Sequence, residues 1–204
     1  MIDFYTATTP NAQKVHIMLE ELGLPYTLHI LDLKKNQQKS PDFLSVNPNG
    51  KVPAIVDNQG SYGRKIKVFE SGAILTYFAE KTKHFMGENE FDRAQVMSWL
   101  MFQMSAVGPS FGNYHYAVSH NIPAMATRFE TEAQRLLEVL DRQLASHEYL
   151  AGNFFSIADI ATYPWMRAGL QLKSEWFKNT PHIHRWIGLI ASRPAVKKAM
   201  STHS

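Results

Sequence analysis

The 204-residue chain contains no cysteine. This absence excludes a disulfide-stabilised scaffold, a thiolate metal site and a cysteine nucleophile supplied by the protein. Any thiol chemistry must therefore use a thiol that a ligand brings. We expect no metal site, because His182 and His184 are two residues apart on a predicted helix and do not face each other.

Long apolar runs and basic clusters are also missing. No stretch approaches the roughly 18 apolar residues that a membrane span requires, and Met1–Lys14 lacks the charged-then-apolar layout of a secretory signal. The net charge is +3, with basic residues spread along the chain, whereas nucleic-acid binders usually concentrate theirs in a stripe. We therefore expect a cytoplasmic protein with small anionic substrates that binds neither membrane nor nucleic acid.

What the sequence does contain is a change of pattern between two segments. Residues 1–82 alternate strand and helix signals in the order βαβ, then ββα, and residues after Thr82 are purely helical. This predicts a mixed α/β domain over residues 1–82 and an all-helical domain over residues 88–204. Strands are predicted over residues 2–6, 26–31, 52–57 and 65–69. Long helices are predicted over residues 92–107, 124–145, 156–170 and 181–192, with Gly108-Pro109 interrupting the first.

A proline opens the third predicted strand, in the sequence Gly-Lys-Val-Pro-Ala-Ile. If the Val52–Pro53 bond is cis, the N–H and C=O of Val52 point outward together. They could then pair with an extended, peptide-like ligand as an added strand. The alternative is an ordinary turn before a strand.

The sequence Phe-Glu-Ser-Gly-Ala-Ile begins a predicted helix at Ser71. The start of a helix offers free backbone N–H groups and a partial positive charge, which suit a carboxylate. Ser71 adds a hydroxyl donor, and the carboxylate of Glu70 suits an ammonium. A ligand with an α-amino acid end satisfies both residues. The alternative is a plain helix cap.

Thr9 and Asn11 lie where the first strand meets the first helix, on either side of Pro10. Proline suits the first helical turn, and threonine is a good N-cap. A thiol docked here would meet donors and a helix N-terminus. Both favour the thiolate over the thiol, whose unperturbed pKa is about 8.5. The alternative is that Thr9 only caps the helix, and which of the two residues faces the sulfur stays open.

Four motifs then follow in a fixed order: TPN at 9–11, NPNGKVPAI at 47–55, FESGAILTYFAEK at 69–81 and SIADI at 156–160. In this order the sequence resembles the cytosolic glutathione transferases over nearly its whole length. Its TPNAQK segment without cysteine is most similar to the bacterial nu class and to relatives of the yeast nitrogen regulator. The resemblance implies a thioredoxin-like N-terminal domain followed by the all-helical glutathione transferase C-terminal domain.

The resemblance also assigns roles in glutathione binding to residues of the first domain. Glu70 and Ser71 would hold the γ-glutamyl end of glutathione. The backbone of Val52 would pair with the cysteinyl part, ahead of a cis Pro53. Many classes place a catalytic tyrosine at the end of the first strand, but Tyr5 lies too early and is expected to be structural.

The remaining roles concern the sulfur and the ligand's other end. Lys51 and Gln38 would reach the glycyl carboxylate. Thr9 and Asn11 would address the sulfur as the catalytic residues. Arg128 would reach the glutathione of a neighbouring subunit, because the family implies a homodimer.

In the helical domain, Tyr114, His115 and Trp165 could line the second-substrate pocket. The alternative is that they are ordinary core and surface aromatics. Ser156 and Asp159 predict a capping box at the start of a helix, and the resemblance implies that Asp159 is the buried cap that keeps this domain folded.

The resemblance implies an enzyme that activates glutathione, with no metal, for thiolate attack on a disulfide, a peroxide or an electrophile. It would be a glutathione-dependent disulfide reductase, a peroxidase or a classical glutathione S-transferase. With no protein cysteine, disulfide reduction would need two glutathione molecules in one site. Two alternatives remain: a non-catalytic binding module, which the lack of an added domain disfavours, and a glutathione-dependent isomerase or dehalogenase.

Overall fold

The structure is a computed structural model that describes residues 1–60 and 63–202. Within it the chain forms two compact units. The first unit comprises Met1–Lys83 and the segment that begins at Arg193, and the second comprises His84–Ser192.

The first unit contains a four-stranded mixed sheet in the order β2-β1-β3-β4. The strands are β1 (Ile2–Thr6), β2 (Tyr26–Ile30), β3 (Ala54–Asp57) and β4 (Ile66–Phe69). β1 pairs in parallel with β2 and antiparallel with β3, and β3 pairs antiparallel with β4. Because parallel neighbours need a crossover, a helix connects β1 to β2. The predicted mixed α/β fold is confirmed.

Three helices alternate with these strands along the chain. They are α1 (Pro10–Glu21), between β1 and β2; α2 (Pro41–Val46), between β2 and β3; and α3 (Ser71–Thr82), after β4. Both α1 and α2 begin with a proline after a capping side chain, Thr9 or Ser40, that accepts a backbone N–H of the first turn. The strand predicted over residues 52–57 begins only at Ala54, because Pro53 has no N–H to donate to the ladder.

The second unit is helical, as predicted from the loss of strand patterns. Its helices are α4 (Glu90–Phe102), α5 (Gly108–Ser119), α6 (Pro123–Ser146), α7 (Ile157–Leu172) and α8 (Pro181–Ser192). The prediction that Gly108-Pro109 interrupts the first helix is wrong. A π-helical turn over Gln103–Val107 leads directly into α5, and Pro109 is tolerated there because it lies in the first turn.

A capping box begins α7, as the sequence predicts. The Ser156 side chain accepts a backbone N–H of the first turn, and the Asp159 carboxylate accepts the backbone N–H of Ser156 at 3.0 Å. The fully buried Asp159 also accepts from the backbone N–H of Leu150 and from Nε1 of Trp186, both at 2.9 Å. This carboxylate therefore joins the start of α7 to the preceding loop and to α8.

A final helix, α9 (Pro194–Ser201), packs against α1 in the first unit. The guanidinium of Arg193 donates to both carboxylate oxygens of Glu21, at 2.6 and 2.7 Å, and Lys198 pairs with Glu20 at 2.8 Å. The C-terminal segment thus differs from the expectation of one helical domain over residues 88–204. None of the helices within the described residues is long and apolar enough to cross a membrane.

Candidate functional site

Two adjoining cavities open in the first unit beside the start of α1 and the start of α3. Their volumes are about 300 and about 150 Å³, and they share Asn11, Lys51 and Val52. The larger is also lined by Thr9, Leu33, Gln38, Lys39 and Gly50. The smaller is also lined by Asn47, Asn49, Pro53, Glu70 and Ser71. Every predicted glutathione-binding residue of the first unit therefore lines one cavity or the other.

The main chain of Val52 lies where the two cavities meet. The Val52–Pro53 bond is cis, as the family resemblance implied. Within residues 1–60 and 63–202, neither the N–H nor the C=O of Val52 has a hydrogen-bond partner. The loop before it is held by the buried Asn47, whose amide donates to the carbonyl of Lys51 at 2.6 Å. An extended ligand can therefore find one unused donor and one unused acceptor here.

The start of α3 forms one wall of the smaller cavity. Ser71 is the first residue of the helix, so the first-turn N–H groups have no partners within the helix. Glu70 precedes it with φ 68° and ψ 120°. Residues other than glycine rarely adopt this backbone conformation. The exposed Glu70 carboxylate accepts from the Asn49 amide at 3.3 Å. Donors for a carboxylate thus lie beside an acceptor for an ammonium.

Thr9 and Asn11 lie at the start of α1. The Thr9 hydroxyl oxygen accepts from the backbone N–H of Ala12 at 3.2 Å, so the predicted cap is present. Because the cap uses only the oxygen's lone pair, Thr9 keeps its own O–H to donate. Thr9 lines the larger cavity alone, whereas Asn11 lines both. Both side chains can therefore reach a sulfur atom held near the start of α1.

Two lysines and a glutamine line the larger cavity. Lys51 and Gln38 were expected here, and Lys39 was missed. The Oε1 atom of Gln38 is buried without a partner in the described part of the chain. Gly50 brings these groups together, because its φ is +61° and an added Cβ would lie 2.8 Å from the Lys39 Nζ. The wall of the larger cavity therefore carries a local excess of positive charge.

Lys14 is the second functional candidate that sequence reasoning missed. Its side chain is 1% exposed, and its Nζ donates to the Ser71 hydroxyl oxygen at 3.4 Å. Burial lowers the pKa of Lys14 to about 7, an effect that the negative charge of Glu70 partly opposes. The available signal was periodicity: Lys14 precedes Met18 by four residues, on the face of α1 that was predicted to be buried.

The second unit does not bring Tyr114 and His115 together. Tyr114 is 4% exposed and packs with its ring centroid 4.7 Å from that of Trp176, while His115 is exposed. Trp165 is half-buried and packs over the α5 backbone, where a Cβ added at Gly112 would lie 3.4 Å from its ring. Tyr114 therefore serves the core of this unit.

Arg128 lies exposed on α6, with its guanidinium carbon 5.9 Å from the ring centroid of Phe129. Among the residues that the structure describes, no group of three His, Cys, Asp or Glu side chains is arranged to hold a metal ion.

Two family models match the chain on either side of the domain boundary. They are the glutathione S-transferase N-terminal domain, over residues 8–81, and the glutathione S-transferase C-terminal domain, over residues 101–194. The chain belongs to the glutathione S-transferase family. The family and the two-part fold predicted from the motifs are thereby confirmed.

Among relatives of this glutathione S-transferase, the disulfide-bond oxidoreductase YfcG of Escherichia coli K12 is 41% identical over 204 residues, covering 98% of this chain and 94% of that protein. A glutathione transferase from Burkholderia graminis, solved with two glutathione molecules per subunit, superposes with a TM-score of 0.92 at 37% identity. That match covers 98% of this chain and 88% of the other.

A glutathione transferase from Pseudomonas putida was solved with one glutathione disulfide per subunit. It superposes on this chain with a TM-score of 0.91 at 37% identity, covering 98% of this chain and 90% of the other. These two similar glutathione transferases thus carry two glutathione molecules or one glutathione disulfide per subunit.

Proposed function

We propose that the protein binds glutathione in the two adjoining cavities of the first unit and uses its thiolate to reduce disulfides. The observation that carries the proposal is the unpaired main chain of Val52, which lies between a site for an α-amino acid end and a site for a sulfur. The oxidoreductase relative and the bound glutathione of the similar structures support the same conclusion.

The two ends of glutathione fit the charges of the two cavities. The γ-glutamyl ammonium and carboxylate would meet Glu70 and the start of α3, where the helix dipole favours an anion. The glycyl carboxylate would meet Lys39 and Lys51 in the larger cavity. The cysteinyl residue would then lie along Val52 and exchange two backbone hydrogen bonds with it.

The sulfur would lie near Thr9 and Asn11 at the start of α1. Hydrogen bonds donated to the sulfur and the positive end of the helix dipole both favour the thiolate, so we expect the thiol pKa to fall on binding. Since the thiolate is the attacking form, binding raises the reactive fraction at neutral pH.

The reaction balances with two glutathione molecules. The first thiolate attacks one sulfur of the substrate disulfide, forming a mixed disulfide and expelling the other sulfur as a thiolate, which takes up a proton. The second thiolate attacks the glutathione sulfur of that mixed disulfide. This step releases the second substrate thiolate and forms the glutathione disulfide. The same thiolate would also attack a hydroperoxide or an electrophilic carbon, giving peroxidase or classical transferase activity.

The roles of the second unit are proposals of the same kind. We propose a homodimer in which Arg128 contacts the glutathione of the neighbouring subunit. The exposed apolar side chains of α4, Phe91 and Met101, support an interface of this kind because they would otherwise face water. Sedimentation equilibrium measures the oligomeric state directly.

Calorimetry and a turnover assay test the proposed function. We expect the purified protein to bind both reduced and oxidised glutathione and to reduce a small disulfide with glutathione as the only reductant. A hydroperoxide and a chlorinated aromatic, assayed in parallel, separate reductase, peroxidase and transferase activities. Binding without turnover of any of the three substrates would support a non-catalytic binding module instead. Failure to bind either form of glutathione would contradict the proposed function.

A spectroscopic titration tests thiol activation. The ultraviolet absorbance of the thiolate should appear at lower pH for bound than for free glutathione, by about one pH unit or more. The Thr9→Val and Asn11→Ala variants should each reduce this shift, and the larger reduction identifies the residue that faces the sulfur. An unshifted thiol pKa in the wild-type complex contradicts activation.

A further inference from the structure

A buried lysine lies next to the start of α3 and lines neither cavity. The Nζ atom of Lys14 is 3.4 Å from the Ser71 hydroxyl oxygen, and the Lys14 side chain is 1% exposed. Because an ammonium only donates, the Ser71 oxygen accepts this hydrogen bond and the serine retains its own proton for donation. Ser71 lines the smaller cavity. One serine therefore connects the buried cation with the proposed carboxylate site.

The burial of Lys14 carries two electrostatic costs. Burying an ammonium is unfavourable, and the start of α3 carries a partial positive charge of the same sign. A methionine would fill a similar volume without either penalty. Glu70 is the negative group whose charge acts on Lys14, but its carboxylate is exposed and therefore screened.

Three ion pairs engage charged groups of α1 and of the elements packed against it. α9 pairs with the C-terminal end of α1, about 9 Å along the helix axis from Lys14. Lys81, in the last turn of α3, pairs with Asp57 of β3. His16 lies on the opposite side of α1 from Lys14, and its Nε2 atom is 2.7 Å from the Tyr26 hydroxyl oxygen. The ion pairs are Arg193 with Glu21, Lys198 with Glu20, and Lys81 with Asp57.

We propose that Lys14 is a positioning residue of the glutathione site. Its ammonium fixes the Ser71 hydroxyl and supplies, from beneath the start of α3, the positive charge that faces the γ-glutamyl α-carboxylate. The inference rests on the proposed function, since it concerns how that same site recognises one end of glutathione.

A thermodynamic consequence follows from the burial of Lys14. Burial lowers its pKa to about 7 in the free protein. A carboxylate bound near Ser71 favours the ammonium form and raises that pKa. Above neutral pH, ligand binding is then coupled to proton uptake by Lys14, and by linkage a lower pH strengthens binding.

Calorimetry on the wild-type protein measures this coupling. The ligand is S-methylglutathione, because it has no thiol that could release a proton. Titrations at about pH 8 in two buffers of different ionisation enthalpy give the number of protons taken up. We expect a larger net uptake in the wild type than in Lys14→Met, in which only the ligand's α-amino group can take up a proton. Lys67→Met is the matched control, because Lys67 is an exposed lysine of β4 that lines neither cavity.

A comparison of two ligands separates recognition of the carboxylate from general damage. The second ligand is S-methylglutathione whose glutamyl α-carboxylate is converted to a carboxamide. We expect Lys14→Met to weaken binding of the carboxylate ligand by roughly 10- to 100-fold and to leave the carboxamide ligand nearly unaffected. Lys14→Arg should restore part of the preference, and Lys67→Met should bind both ligands like the wild type.

The outcomes distinguish failure of the proposed function from failure of the role assigned to Lys14. If the wild type ignores S-methylglutathione and glutathione alike, the proposed function fails and this inference falls with it. If the wild type binds but takes up no more protons than Lys14→Met, or if Lys14→Met keeps the full preference for the carboxylate, the role of Lys14 is wrong while the proposed function stands. Should Lys14→Met fail to fold, the wild-type proton uptake and the Lys14→Arg ligand preference decide the question.

Discussion

At the scale of single residues, Glu70 holds a backbone conformation that disfavours glutamate. Its φ of 68° is paired with a ψ of 120°, a combination that costs a residue with a Cβ about 1–3 kcal/mol. The side chain is exposed, and its one described hydrogen bond is accepted from the Asn49 amide. Stability therefore does not account for a glutamate here, whereas an ammonium-binding carboxylate does.

Replacing Glu70 by glycine should separate stability from function. Glycine adopts this conformation without strain, so Glu70→Gly should unfold at a higher temperature, with a gain of about 1 kcal/mol. The same variant should bind glutathione roughly tenfold or more weakly, because the carboxylate that meets the ammonium is gone.

Glu70→Ala is the matched control, because it removes the carboxylate but keeps the strained backbone. It should lose binding as the glycine variant does, without the gain in stability. Scanning calorimetry and glutathione titration of both variants make the comparison. Equal unfolding temperatures for the alanine and glycine variants would show that the backbone at residue 70 is not strained.

Lys14 predicts a pH dependence of stability in the absence of ligand. An unfolded lysine has its ordinary pKa of 10.5, whereas burial lowers the pKa of folded Lys14 to about 7. Between these values the unfolded chain binds more protons than the folded protein, so the free energy of unfolding rises with pH. The penalty for burying the charge is thus complete below pH 7 and is relieved as pH rises.

Lys14→Met lacks this penalty at every pH, so its stability relative to wild type should be greatest near neutral pH and below. We expect the difference to shrink by about 1 kcal/mol per pH unit above pH 7. Urea denaturation at several pH values, with Lys67→Met as the reference, measures it. Parallel stability curves for the wild type and Lys14→Met would contradict a lowered pKa.

Single residues of the site differed in how far the sequence could reveal them. Glu70 and Ser71 were predictable, because a helix start is marked by local residue types whose chemistry is directly readable. Lys14 was missed because a lysine is ordinarily read as surface charge and only packing shows that this one is buried. The exposed Lys39 was missed because only the fold brings it beside the larger cavity. The cavity residues Asn47 and Asn49 were missed for a related reason, since asparagine in a loop ordinarily indicates a turn.

At the scale of secondary-structure elements, α7 depends on the buried Asp159. Its carboxylate accepts from two backbone N–H groups, from the hydroxyl of Ser156 and from the indole of Trp186. Burial raises the pKa of Asp159, and these four donated hydrogen bonds oppose the rise. Because every partner is a donor, the network needs an acceptor-only group at this position.

Asp159→Asn should therefore be strongly destabilising although its shape is nearly unchanged. The amide NH₂ would face donors and leave at least one buried N–H unsatisfied, at a cost of about 3 kcal/mol. Ser156→Ala, which removes only the capping hydroxyl, should cost about 1 kcal/mol. Chemical denaturation of both variants gives the two values. An asparagine variant as stable as the alanine variant would show that the network does not need the carboxylate.

The elements themselves were predictable to different degrees. Helices with a local start signal, such as α1 and α7, were predicted correctly because the cap and the apolar spacing lie within a few residues of each other. The helix α5 was missed because glycine and proline at residues 108 and 109 indicate a break, yet proline is acceptable in a first turn. α9 belongs to the first unit because it packs against α1 and because Arg193 pairs with Glu21. These residues are far apart in sequence, so no local pattern could predict that they meet.

At the scale of the whole molecule, the order of the elements was more informative than any one of them. Each motif alone allowed an ordinary structural explanation, such as a turn at Pro53 or a cap at Thr9. The sheet brings the loop before β3 beside the starts of α1 and α3, so that motifs from three parts of the chain line adjoining cavities. The order of strands and helices predicts that these three motifs lie close together. The shape of the cavities could not be predicted, because it depends on side-chain packing.

The absence of cysteine is a property of the entire chain, and it yields the sharpest chemical prediction. If both thiols of the reaction come from glutathione, no step forms a covalent bond to the protein. Treatment with iodoacetamide, followed by removal of the reagent, should leave the wild-type reductase activity and the protein mass unchanged. S-methylglutathione should support no turnover, and two glutathione molecules should be consumed for each disulfide reduced.

A Thr9→Cys variant provides the positive control for reagent access. It places a thiol at the wall of the larger cavity, where the helix N-terminus favours the thiolate, so iodoacetamide should add a single alkyl group to it. Glutathione included during treatment should slow that alkylation, because both compete for the same space. Inactivation of the wild type under conditions that alkylate Thr9→Cys would mean that a side chain other than a thiol takes part in the reaction, and the two-glutathione mechanism would have to be abandoned.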